Sequence, residues 1–178
     1  MQSLIRLFFA TPRRTLWWIA GAIFGSLAFG MYLQYAVGLV PCPMCIVQRY
    51  VFVLLGLLAL VGALFPSPKA HVWTYIAMIP MAVAGAFVAA RQSWLQWNPP
   101  AVSSCGRDFY GMIEQLPLSR ALPMIFAGSG DCTKVDWTFL GGTIANWAFV
   151  CFVAVIITSM AWLWAMRKKN AGFAPAVI

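Results

Sequence analysis

Four long runs of apolar residues, each almost free of charge, constrain this chain more than any other feature. They cover residues 16–33, 46–65, 72–90 and 144–166. Each is close to the ~20 residues a helix needs to cross a ~30 Å hydrocarbon core. In that core every backbone N–H and C=O must be satisfied internally, so a run of this kind is expected to be helical. Composition agrees: 62% of the 178 residues are hydrophobic and 9% charged, against about 25% charged in a soluble domain. Disorder is excluded by the same figures, since it requires low hydrophobicity and high charge. The expectation is an all-α membrane protein: one domain over 1–178, built as a four-transmembrane-helix bundle.

Local signals fit these boundaries. Trp17 and Trp18 head the first run as an interfacial belt would, and Pro66-Ser67-Pro68 closes the second. Pro80 lies inside the third, where a bundle tolerates it. The first run is longer than a cleavable signal peptide's and lacks a small-x-small site after it. Gly21, Gly25, Gly30, Gly56, Gly62, Ala82, Ala84 and Gly85 are expected to let helices approach closely.

The net charge of +8 comes from 12 Lys+Arg against 4 Asp+Glu. It does not form the basic, aromatic-interleaved face of a nucleic-acid binder. Arg6, Arg13 and Arg14 precede the first run, and Arg167, Lys168 and Lys169 follow the last. With Lys69 in the short second connection, the positive-inside rule places both termini in the cytoplasm. The connections at about 34–45 and 91–143 then face the opposite side. The longer one carries all the acids: Asp108, Glu114, Asp131 and Asp136.

Four of the five cysteines fall on that far side. Cys42-Pro43-Met44-Cys45 stands at the entrance to the second run, and Cys105 and Cys132 lie in the long connection. Cys151, inside the fourth run, reads as a small buried hydrophobe. An exported compartment favours disulfides. Zinc is not expected, because Cys105 and Cys132 are too far apart for a paired knuckle and the one histidine, His71, is on the other side. A bridge between Cys105 and Cys132 could brace the loop by about 3–4 kcal/mol in the chain-entropy picture. The C-x-x-C is different. Its two-residue spacer closes almost no loop, so it is a poor staple and a good redox switch. Cys45 adjoins the N-terminal turn of the second run, where the helix dipole favours a thiolate, the reactive form in disulfide exchange.

Arg49 follows Cys45 at i+4, on the same helix face. An arginine near a bilayer centre costs at least about 2.5–3.5 kcal/mol, and less at the edge. Interfacial anchoring is one reading. The other is a donor for a polar head held at the bilayer surface beside a reactive thiol. An isoprenoid quinone has that chemistry: it dissolves in lipid, accepts two electrons, and offers carbonyl oxygens to an arginine.

The long connection carries matching features. Residues 127–132 (Ala-Gly-Ser-Gly-Asp-Cys) form a flexible lead into Cys132, and Asp131 disfavours a thiolate there, making the loop cysteines unequal. Residues 116–126 are apolar but short and proline-broken, suited to lying along the membrane surface. Trp94, Trp97 and Trp137 suit interfacial anchoring.

These residues resemble the bacterial disulfide bond formation protein B (DsbB) family, quinone-dependent membrane thiol oxidases. The resemblance is carried by Pro41-Cys42-Pro43-Met44-Cys45-Ile46 with Gln48-Arg49, by Cys105, by Phe126 through Gly128-Ser129-Gly130-Asp131-Cys132, and by Trp137, Phe139-Leu140-Gly141 and Trp147. It implies a bacterial inner-membrane protein with its cysteine loops in the periplasm. The partner would be the soluble oxidase DsbA, attacking a Cys105–Cys132 disulfide and forming its mixed disulfide with Cys105. Cys132 would then pass electrons to Cys42–Cys45. Cys45 would face ubiquinone or menaquinone as a thiolate, with Arg49 holding the ring. Where some members have a histidine this chain has Gln92, with Arg91 beside it as a further candidate quinone contact. Gln48 stands where others carry an acid.

Two other readings stay open. Vitamin K epoxide reductase-type proteins also pair a bundle with a C-x-x-C, but place it after the loop cysteines, not before them. A small transporter or assembly factor with purely structural disulfides is the alternative from another class. Transporters usually show paired repeats and several intramembrane polar groups.

Overall fold

In the computed structural model the described residues are 11–39, 41–99, 133–135 and 137–171. They form four long helices: α1 (Pro12–Ala36), α2 (Pro43–Leu64), α3 (Pro68–Trp97) and α4 (Ile144–Ala171). All four are long and apolar enough to cross a membrane. A short antiparallel hairpin, β1 (Thr138–Phe139) and β2 (Gly142–Thr143), precedes α4.

Three helices start in the same way. Thr11, Cys42 and Ser67 take extended N-cap backbone, and Pro12, Pro43 and Pro68 follow. Proline suits a first helical position because its missing N–H would find no partner there and its φ is already helical. α3 continues to Trp97, seven residues beyond the apolar run that ends at Ala90, and stops ahead of Pro99. Arg91 and Gln92 therefore sit on a helix rather than in the connection that follows. The polar letters at 91–93 hid this extension, yet Gln92, Ser93 and Leu95 are buried against the bundle.

α1 packs on α2, α2 on α3, and α3 on α4. The shared core runs through Leu16, Ile23, Phe52, Leu55, Tyr75, Met78 and Phe152. Phe52 and Phe152 stack with centroids 4.2 Å apart. That stack needs Gly85, where a Cβ would come within 2.5 Å of the Phe152 ring. Gly56 is similarly tight against Ile23 and Phe24, and Gly62 against Thr74. The expectation fails on α1: a Cβ at Gly21, Gly25 or Gly30 would meet nothing within 4 Å, and α1 meets the core through Leu16, Ala20 and Ile23 instead. Large apolar side chains point outward all round, among them Leu54, Leu57, Val61, Phe87, Ile157 and Trp164. In water such a surface would be an aggregation hazard; in a bilayer it faces acyl chains.

Cross-helix hydrogen bonds fix the up-and-down order. Arg13 Nε donates to Ala63 O (2.8 Å), Tyr75 Oη to Pro12 O (2.9 Å) and Trp162 Nε1 to Thr15 Oγ1 (3.0 Å). The start of α1, the end of α2, the start of α3 and the end of α4 thus share one end of the bundle. Cys42, Gln92 and the hairpin lie at the other.

The hairpin was invisible as a strand pair because each strand is two residues long. Its turn puts Leu140 at φ 50° and Gly141 at φ 78°, the pair of positive values that a tight two-residue hairpin turn requires. Trp147 Nε1 donates to Phe139 O at 3.0 Å. Trp137 stacks with Phe139 and meets Phe29 of α1 edge-on. These rings bind the segment before α4 to the bundle.

Candidate functional site

Cys42 is the N-cap of α2, with φ −78° and ψ 162°, and its sulfur accepts the N–H of Cys45 at 3.3 Å. Ser, Thr, Asp or Asn usually fills this position. A sulfur is a weak acceptor as a thiol and a much better one as a thiolate, so the C-x-x-C spacing places both cysteines on a terminus that rewards negative charge. The two sulfurs lie together, Cys42 Sγ within 2.8 Å of Cys45 Sγ. Cys42, Met44, Val88 and Leu95 form a small buried apolar cluster, against which Cys45 and Val47 pack.

Polar partners enter from α2 and α3. Gln92 Nε2 donates to Cys42 Sγ at 3.2 Å and to Cys45 Sγ at 3.1 Å. Gln48 Nε2 donates to Gln92 Oε1 at 2.7 Å. Both glutamines are only 3% exposed, so bonding each other and the sulfurs relieves the cost of burying their amides. Arg49 is held from α1: it donates to Gln34 Oε1, to Gly30 O (3.4 Å) and to Met31 Sδ (3.8 Å). A guanidinium has five N–H donors, so these contacts leave capacity for a ligand.

These residues surround one cleft. Cys42, Cys45, Gln48, Arg49 and Gln92 line one side; Gln34, Leu27, Phe52, Trp137, Ile144 and Ala148 line others. Its free volume is about 130 Å³, and it opens outward on one side. The walls are mainly apolar and aromatic, with donors concentrated near the sulfurs. Such a cleft can hold a flat, apolar ring by its polar edge beside a thiol.

The sequence candidates divide into three groups. Cys42, Cys45, Arg49 and Gln92 come together at the cleft. Arg91 is half-buried but does not line it. Cys105 and Cys132 lie outside the described residues, as do the acidic side chains and residues 116–126. Lys134 and Val135, just after Cys132 in the sequence, do line the cleft, and Gln96 Nε2 donates to Lys134 O at 3.4 Å.

Sequence reasoning overlooked Gln34, Gln96 and Thr143 as cleft residues. Thr143 Oγ1 donates to Gln96 Oε1 (2.8 Å) and accepts from Asn146 N (3.3 Å), capping α4. Ser93 Oγ donates to Asn146 Oδ1 at 2.7 Å, tying α3 to α4 beside it. The available signal was that uncharged polar residues near the ends of apolar runs must face one another.

The chain as a whole is similar to known proteins. The profile of the family described as Disulfide bond formation protein DsbB matches residues 12–162. A protein named Disulfide bond formation protein B from Polaromonas naphthalenivorans (strain CJ2) is 59% identical over 159 residues, covering 89% of this chain and 95% of that protein. Its namesake in Paracidovorax citrulli (strain AAC00-1) is 54% identical over 169 residues, 94% of this chain and 96% of that protein. The one from Albidiferax ferrireducens is 57% identical over 154 residues, 86% and 88% respectively.

Proposed function

This chain belongs to the disulfide bond formation protein B family, membrane oxidoreductases that generate disulfides, and from that premise we propose that Cys42 and Cys45 are the dithiol that delivers electrons to a respiratory quinone. One observation supports this most: the paired sulfurs and the Arg49 guanidinium share a mainly apolar cleft. The cleft suits a quinone ring, which is flat and apolar with a carbonyl oxygen at each end. Arg49 would donate to one of those oxygens, and Phe52, Trp137 and Ile144 would cover the ring. The quinone supplies a sink for two electrons and two protons. Gln92 meets the sulfurs themselves, and Arg91 is assigned no contact with the ring.

A reduced DsbA-like periplasmic oxidase attacks the Cys105–Cys132 disulfide, forming a mixed disulfide at Cys105. Its second thiol closes the partner's own disulfide and leaves Cys105 and Cys132 as thiols. Cys132 then attacks the Cys42–Cys45 disulfide, and Cys105 restores the loop bridge, so the dithiol at α2 becomes reduced. Lys134 and Val135 on the cleft wall support a short path from Cys132. We assign the dithiol end to the periplasm and the bundle to the bacterial inner membrane, since Arg13, Arg14, Lys69 and Arg167 all lie at the opposite end.

The test mixes purified protein with a reduced DsbA-like oxidase and soluble analogues of ubiquinone or menaquinone. The expected result is one quinone consumed per disulfide formed, abolished by Cys45→Ser. Absence of turnover, with the four exported cysteines resistant to alkylation, would leave a bundle with structural disulfides only.

A further inference from the structure

The two ends of a glutamine side chain act oppositely on a sulfur. Its NH2 donates and so supports a thiolate, whereas its oxygen repels one and can only accept from a protonated thiol. Half a turn about the last side-chain bond exchanges them with almost no change in shape. Packing alone therefore cannot fix which end of Gln92 faces the dithiol. Something at the far end of the amide must.

Gln48 occupies that position. It sits three residues after Cys45 on α2, on the same helix face, and its Nε2 donates to Gln92 Oε1 at 2.7 Å. With the oxygen so engaged, the two N–H groups of Gln92 are directed at Cys42 Sγ and Cys45 Sγ, one for each. We propose that Gln48 is a positioning residue for the thiol–disulfide step, acting through Gln92 to keep a donor, and not an acceptor, on the reduced sulfurs. The inference rests on Cys42 and Cys45 being the redox pair. It gives α2 two duties, since the helix that carries the reactive sulfur also carries the group that orients the sulfur's partner.

The consequence is a bias in a redox equilibrium. A thiolate gains more from an N–H donor than a disulfide sulfur does, so the observed arrangement favours the reduced pair. Removing the orienting bond should move the pair toward the disulfide. Arg49 and Lys134 are the charged side chains lining the same cleft, and both are unchanged in the variants below.

The experiment equilibrates the full-length protein at fixed pH with graded ratios of oxidised to reduced glutathione. It then alkylates the free thiols and reads the peptide containing Cys42 and Cys45 by mass. Gln48→Met, which keeps the length and loses the donor, should need an oxidised-to-reduced ratio lower by about tenfold to reach half-oxidation, as expected for losing a bond to a charged group. Gln92→Met should shift at least as far. The double variant should match Gln92→Met alone, because Gln48 acts only through Gln92. Gln48→Glu, isosteric but accepting only when ionised, should turn Gln92 round and shift at least as far as Gln48→Met. A Gln48→Met midpoint equal to wild type, or additive effects in the double variant, overturns the proposal. Should Gln48→Met fail to fold, a wild-type midpoint in Gln48→Glu does the same. The titration needs neither quinone nor partner. A wild type that titrates normally without reducing quinone would sink the function above and leave this inference standing.

Discussion

The two ends of the bundle use polar groups in opposite ways. At the end where α1 starts, Arg13, Tyr75 and Trp162 each donate to a fixed acceptor on another helix, two of them backbone carbonyls. These bonds act as ties. At the other end Gln34, Gln48, Arg49, Gln92 and Gln96 converge on a cleft, and several end on sulfur or on one another rather than on backbone. The tied end is not the better satisfied of the two, since His71 Nε2 and Ser159 Oγ are buried there without a hydrogen-bond partner among the described residues. One end joins helices whose relative positions are settled, and the other, on the function proposed above, holds groups whose protonation and bonding change during turnover.

That contrast can be broken from either side. The largest effect expected is on chemistry: Cys45→Ala should lower quinone turnover at least about a thousandfold, as loss of a nucleophile does, with the thermal midpoint barely moved. A large fall in that midpoint would make the dithiol a brace. Phe152→Ala, between the two ends, should destabilise by about 3–5 kcal/mol through the cavity it leaves, read by thermal unfolding in micelles. If turnover per folded molecule falls as well, the core transmits to the cleft. Arg49→Met should raise the KM for quinone by roughly tenfold or more, the worth of a bond to a charged group, while exchange between the partner and the cysteines proceeds at its normal rate. The smallest effect belongs to the tied end. Tyr75→Phe strands the Pro12 carbonyl and should cost about 1 kcal/mol with turnover unchanged. Lost activity there would show the ends to be coupled.

Much of this was legible in the sequence because the bilayer imposes so simple a rule. Runs of apolar letters mark the four helices, but α1, α2 and α3 start three or four residues ahead of those runs, at the prolines after Thr11, Cys42 and Ser67. Cys42, Cys45 and Arg49 stood out because a C-x-x-C and an arginine are rare at the edge of an apolar run. The rest was hidden for physical reasons. Gln92 reads as the start of a polar loop until the buried face of α3 is known. The hairpin at 138–143 has strands too short for periodicity. The glycines of α1 look like the glycines of α2 and α3, and only packing tells Gly85, pressed on Phe152, from Gly21, where a side chain would have open space. The bonding of Gln48 to Gln92 joins residues 44 positions apart, beyond any local pattern.

The length of α3 carries one more consequence. Its 30 residues rise about 45 Å at 1.5 Å each, some 15 Å more than a typical hydrocarbon core. It must tilt or project beyond the lipid, and Gln92 stands near the overhanging end. α2, with 22 residues, has no such excess. The apolar run of α3, 72–90, still fits the ~30 Å core, so the excess lies in the turns flanking that run, most of it after Ala90. The sulfurs are therefore cradled by the first turn of α2 and by turns of α3 that have already outrun its apolar stretch, at the rim of the bundle rather than at its middle.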